Sequence, residues 1–191
     1  MNKEKFIFQY VNEYGPLTDK AKSGLLFLLT KLENDNTIAD VRHVAYMLAT
    51  VKHECGNEWQ AIKEYSRGKG SKYGKPAGPY NQIYYGRGYV QLTWLDNYKA
   101  MSAVVAKDLV QFPDLMLEGN NAYTVMSFGM RKGSFTGVGL SKYINAKKCD
   151  YRNARRIING LDCADKIAGY ATKIEIMLIN SVLDNEFKQA A

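Results

Sequence analysis

Two carboxylates and a run of aromatics and amides are the residues of this chain whose types and spacing point to chemistry. Glu54 ends an apolar stretch, Glu64 follows ten positions later in a polar passage, and YYGRGYVQLTWLDNY occupies residues 84 to 98. Sugar rings present flat C–H faces that stack on Tyr and Trp, and hydroxyls that need Gln, Asn, Thr and Arg as partners. The combination reads as a carbohydrate cleft, with the carboxylates supplying proton transfer. Residues 39 to 51 are apolar all round a helix, which predicts an element buried on most sides with Glu54 in its last turn. A helix C-terminus carries partial negative charge and burial removes water. Both disfavour an ionised Glu54 and suit it to the role of general acid. His53 beside it reads as a helix-end residue rather than a catalytic one.

The flanking elements follow from periodicity and punctuation. Lys3 to Tyr14 reads as a helix stopped by Gly15-Pro16, and Thr18 can cap a second helix carrying the Leu25 to Leu32 stripe. Thr37 to Asp40 (TIAD) has the pattern of a capping box at the start of the third helix. Trp59 and Ile62 are expected to pack, and the Gly- and Pro-rich residues 66 to 80 to form a mobile rim loop rather than a regular element. Tyr89, Val90, Leu92 and Trp94 suggest a short strand. Further helices are predicted over 100–109, 121–130, 150–158 and 167–183, the third of these bearing Arg152, Arg155 and Arg156.

Bulk properties set outer limits. A chain of 191 residues suits one domain, with no repeat of 20 to 50 residues and no separate wall-binding module. No apolar run approaches the roughly 18 residues that span a bilayer, and the N-terminus lacks the features of a secretory signal. Synthesis in a cytoplasm and no stable membrane insertion are the expectations. The 26 Lys and Arg against 19 Asp and Glu give a formal charge of +7, which favours approach to a polyanion. The basic residues are scattered, the nearest cluster being Arg67, Lys69, Lys72 and Lys75 among glycines. That fits a basic loop better than a nucleic-acid-reading helix, so no nucleic-acid partner is expected. Cys55, Cys149 and Cys163 have no CxxC spacing, leave at least one thiol unpaired, and are expected to be reduced; a bridge between two of them stays open.

The pairs His53-Glu54 and Asn97-Tyr98, the block YYGRGYVQLTW at 84–94, FTGVGLSKYI at 135–144 and ARRIINGLDCADKIAGYA at 154–171 together resemble glycoside hydrolase family 19, the chitinases and related bacteriophage endolysins. The last two stretches resemble the endolysin branch in particular. This resemblance implies a predominantly helical α+β, lysozyme-like fold with a small β-region beside the cleft. It implies hydrolysis of the β-1,4 bond of bacterial peptidoglycan by a monomeric endolysin held in the host cytoplasm until its release to the cell wall. Inverting acid/base catalysis is implied, with no metal and no cofactor. Glu54 would be the acid and Glu64 the base, with Glu58 as the alternative base. The implied substrate-binding residues are Gln91, Thr93, Asn97 and Asn159, with Tyr85 of the aromatic block beside them. Thr93 stands where plant members have a serine. Asp162 and Lys166 match an acid and a base that support the catalytic carboxylate, with Lys replacing Arg. Two other readings share these residues: a chitinase acting on N-acetylglucosamine polymers, and a non-catalytic glycan-binding or virion protein.

Overall fold

The computed structural model describes residues 1 to 189, and side-chain surroundings as far as Val182. Helix α1 is Lys3–Tyr14, capped by the Asn2 side chain, which accepts from the Lys5 amide at 3.0 Å. Helix α2 is Asp19–Glu33, capped by Thr18, which accepts from the Ala21 amide at 3.2 Å. Both agree with the pattern in the sequence. The third helix, α3, is Val41–Glu54, and every residue from Ala45 to Lys52 is buried. Its start differs from the expected capping box. The Thr37 hydroxyl and amide both turn to Asp35, and the Asp40 carboxylate caps instead, accepting from the Arg42 amide at 2.9 Å. Asp35 also accepts from Tyr123 and Ser127, each at 2.7 Å. Those long-range partners draw Thr37 out of the helix.

Helix α3 packs chiefly against the long C-terminal helix, which runs Ala164–Gln189 and starts earlier than periodicity suggested. Between them in sequence lie α4 (Leu95–Val105), α5 (Gly119–Lys132) and the single turn α6 (Tyr151–Ala154); the C-terminal helix is therefore α7. Residues 150–158 do not form one helix. The chain tightens into a 3₁₀ turn over Arg155–Ile157. The β-region is two ribbons: β1 (Ile62–Lys63) pairs antiparallel with β2 (Arg87–Gly88), and β3 (Ile144–Asn145) with β4 (Lys148–Cys149). The strand expected over Tyr89 to Trp94 is a tight reversal instead. Leu92 donates back to the Arg87 carbonyl at 2.9 Å, and Gln91 and Trp94 take φ values of 50° and 71°. Tyr89, Val90 and Leu92 are buried there without a ladder, while Trp94 stays exposed. The predominantly helical α+β architecture with a small β-region stands.

The glycine-rich segment 66–80 is a succession of turns, with a 3₁₀ turn at Lys72–Gly74. A Cβ on Gly74 would fall 1.8 Å from the Gly68 carbonyl oxygen, so the segment closes on itself through two glycines. Trp59 is fully buried, as expected. The three cysteines are free thiols, Cys55 buried and the other two exposed. Among the described residues, no helix is long and apolar enough to cross a membrane.

A buried amine fixes the path of the chain after Glu54. Lys52 Nζ donates to the Tyr10 hydroxyl at 2.6 Å and to Asn57 Oδ1 at 2.9 Å, and sits 4.0 Å from the Tyr14 ring centroid. Trp59 Nε1 donates to the same Tyr10 oxygen at 3.3 Å. Burial, reinforced by the charge of Lys166, pushes the Lys52 amine down to about 8 from 10.5. The unfolded chain therefore binds the extra proton between these two values, and stability rises with pH across that window. Lys52→Met should abolish a rise of up to about 3 kcal/mol, the size set by a shift of this order. Thermal unfolding of both proteins from pH 7.5 to 10 checks this; parallel curves would show that Lys52 is not the group that titrates.

Candidate active site

Glu54 and Glu64 line one cleft of about 520 Å³, together with Tyr73, Gly86, Val90, Gln91, Leu92, Thr93, Trp94, Asn97, Phe135, Arg155, Ile158 and Asn159. Helix α3 delivers Glu54 from one side. Its carboxylate, 16% exposed, accepts from Arg155 Nη1 at 2.7 Å. Arg155 is itself buried, and its Nε donates to the Asp162 carbonyl at 3.1 Å. The sequence reading weighed burial and the helix terminus at Glu54. The structure adds a guanidinium in direct contact with it.

Glu64 comes from the other side, immediately after β1. Its Oε2 accepts from the Gly86 amide at 3.0 Å; its Oε1 accepts from the Tyr73 hydroxyl at 3.2 Å and from the Ser66 hydroxyl. Burial is the largest single influence on this carboxyl and pushes its pKa up, but these donors together with the Gly68 amide outweigh it and hold the group below its ordinary value. Glu64 is thus kept as a carboxylate, ready to accept a proton. Gly86 lies at the floor, where a Cβ would press on the Gln91 side chain, 2.8 Å from its Oε1. Glu58 is exposed at the end of a 3₁₀ turn and lies outside the cleft.

Four of the five expected binding residues reach the cleft, and each has part of its polar capacity already committed or left open in a definite way. Gln91 Nε2 ties the β1–β2 ribbon by donating to the Ile62 and Gly88 carbonyls at 3.2 and 3.1 Å, leaving Oε1 toward Gly86. Asn97 Nδ2 donates to the Thr93 carbonyl at 2.9 Å, which leaves Oδ1. Asn159 Oδ1 accepts from the Gly160 amide at 2.8 Å, which leaves its NH₂ group. The Thr93 side chain lines the cleft beside them. Trp94, 47% exposed, offers a ring face with Tyr73 set edge-on to it at 5.6 Å between centroids.

Tyr85 is the exception. In β-structure neighbouring residues point to opposite faces. Glu64 and Gly86 turn to the cleft, so Lys63, Tyr85 and Arg87 turn away from it. The Tyr85 ring lies under the Arg87 guanidinium at 3.6 Å and is buried there. Lys166 is likewise not the cation beside Glu54: it is exposed and lies over the Tyr170 ring, and Asp162 contributes its carbonyl rather than its carboxylate. Arg155 takes that place. The sequence offered three arginines in five residues with no way to single out the middle one, because the choice depends on a contact with a residue 101 positions away. Tyr73, Phe135 and Ile158 were also missed, being ordinary residues of loops and a helix end. Among the described residues no three His, Cys, Asp or Glu side chains gather as metal ligands would.

Arg155→Leu would leave the Glu54 carboxylate and the Asp162 carbonyl without their donor. A loss of about 1–3 kcal/mol is expected for stranding such groups, to be measured by urea unfolding. A double variant with Glu54→Gln should recover part of it, since the amide needs no counter-charge.

No family model matches the chain, and no curated protein matches its sequence. Solved structures do match. Chitinase C from Streptomyces griseus HUT6037 aligns with a TM-score of 0.64 at 22% identity over 90% of this chain and 75% of that one. A mutant of chitinase C gives 0.62 at 20% identity with the same coverage. A bacterial family 19 chitinase gives 0.60 at 22% identity over 88% of this chain and 93% of its own. The fold of this chain is the lysozyme-like fold of the family 19 chitinases.

Proposed function

We propose that this chain is a glycoside hydrolase that cleaves the β-1,4 bond of bacterial peptidoglycan with inversion, and that it serves as a bacteriophage endolysin released to the wall from the host cytoplasm. The observation that carries the hydrolase reading is the pair of carboxylates in one cleft with unlike surroundings: Glu54 against a guanidinium, Glu64 cradled by hydroxyl and amide donors. A binding module has no need of either arrangement. Polymer lying along Trp94 would place a glycosidic oxygen between the two carboxyls. Glu54 then gives its proton to the leaving glycosidic oxygen, and Arg155 stabilises the carboxylate left behind. On the other face Glu64, with the Thr93 hydroxyl, takes a proton from the attacking water. Gln91, Asn97 and Asn159 bind sugar hydroxyls and N-acetyl groups.

The charge of +7 and the resemblance of residues 135–144 and 154–171 to endolysins favour the bacterial wall as substrate. Chitin is the second reading, favoured by the solved structures that share this fold, which are chitinases. Release of reducing ends from purified peptidoglycan, set against chitin oligomers, separates the two, and the anomer first formed reports inversion.

Glu54→Gln and Glu64→Gln should each lower turnover at least about 10²-fold, the lower range for acid/base catalysis, while Glu58→Gln should leave it near wild type. Wild-type turnover by folded Glu64→Gln would remove that residue from the mechanism. A second expectation concerns pH. Because its donors hold Glu64 below the ordinary carboxyl value, the acid limb of kcat/KM should lie below the range of a free glutamate. Ser66→Ala with Tyr73→Phe removes two of those donors, so Glu64 should protonate at higher pH and the limb should move up. An unmoved limb would assign it to another group.

A further inference from the structure

Behind the β1–β2 ribbon from the cleft is a second depression of about 870 Å³. The alternation that sends Glu64 and Gly86 forward sends Lys63, Tyr85 and Arg87 to this side, so the two hollows share one ribbon as a wall. Its charge is lopsided: Lys63, Arg67 and Arg87 line it against the single acid Asp114. Asp114 is already shared, Oδ2 with Lys63 and Oδ1 with Arg87 Nε, both at 2.7 Å. Arg67 makes no ion pair among the described residues, so two positive charges are left over.

Arg87 supplies the sharper observation. The residue is only 3% exposed, and its Nη1 donates to the carbonyls of Ile83 and Tyr85 and is 3.1 Å from the Tyr98 hydroxyl. Its Nη2 makes no hydrogen bond among the described residues, and the residue lines the depression. A buried guanidinium with one edge spare is a preformed donor for an oxygen anion. At the rim, Phe112 is 55% exposed and the Asn81 amide is within the lining. An aromatic platform beside an amide suits a short peptide better than a bare ion.

We propose that this depression is a second, non-catalytic subsite that binds a carboxylate of the short acidic peptides carried by the glycan strand, seating the polymer on both sides of the β1–β2 ribbon. The proposal rests on the reading of peptidoglycan as substrate. It accounts for a cationic hollow directly behind the base in an enzyme whose scissile bond carries no charge.

The test uses Arg67→Asp, which reverses the charge with a residue that tolerates the φ of 48° found there. Arg87 is left in place because it holds the ribbon. In a Glu54→Gln background, which prevents cutting, Arg67→Asp should weaken binding to intact peptidoglycan about 10-fold, the scale of one charge-assisted contact. Binding to the same glycan freed of its peptides by an amidase should not change, and Phe112→Ala should act in the same direction. With Glu54 restored, cleavage of neutral N-acetylglucosamine oligomers by Arg67→Asp should match wild type. Unchanged binding to intact wall, or an equal loss on stripped glycan, would overturn the proposal. If wild type cuts chitin and not peptidoglycan, the substrate reading fails by itself. Titration with a soluble acidic stem peptide then decides the subsite: binding lost in Arg67→Asp supports it, and no binding by wild type overturns it.

Discussion

A guanidinium enclosed to 3% exposure needs partners for its donors, and Arg155 sets Nη1 on the Glu54 carboxylate and Nε on the Asp162 carbonyl. The contact joins the last residue of α3 to a turn 101 positions later in the chain. It ties together the helix that supplies one carboxylate and the segment, Ile158 and Asn159, that also lines the cleft. Removing either partner leaves a buried charge uncompensated, which is the costly direction for such a pair. Packing of α3 on α7 brings the two stretches into range, and the ion pair sets how they meet.

The second constraint is the parity of a very short ribbon. Two residues per strand are enough to decide which side chains see the cleft, because the alternation is strict once Lys63 stands opposite Arg87. The block YYGRG therefore splits: its first glycine floors the cleft, while the second tyrosine and the arginine build the opposite wall. Gln91 fixes the register by spanning both strands with one amide nitrogen. The same residue forms part of the cleft lining, so ribbon geometry and site geometry are coupled through one side chain.

Around Glu64 the chain uses neutral donors where Glu54 has a full charge. The Ser66 and Tyr73 hydroxyls belong to a glycine-closed run of turns, and the Gly86 amide belongs to the ribbon. Together they offset desolvation and keep the group ionised. Two carboxyls in one cleft thus have unlike partners, a guanidinium beside Glu54 and neutral hydroxyl and amide donors around Glu64.

The helices α1, α2 and α3 were legible because local signals are strong there: Thr18 as a cap, Gly15 as a stop, and an apolar pattern running all round residues 45 to 51. The two glutamates and the amides of the cleft were legible through residue type and motif. What the sequence by itself determined is therefore which groups are present and where helices bury. Tertiary structure alone decided that Thr37 turns to Asp35, that residues 89 to 94 reverse instead of forming a strand, and that Arg155 rather than Lys166 meets Glu54. It alone decided that Tyr85 faces away from the cleft. Each of these outcomes depends on a partner far along the chain, on a turn closed by backbone bonds at Arg87 and Tyr84, or on the parity of a ribbon two residues long. None leaves a periodic trace in the sequence, because pairing across space sets the direction of a side chain where no helix or long strand sets it locally.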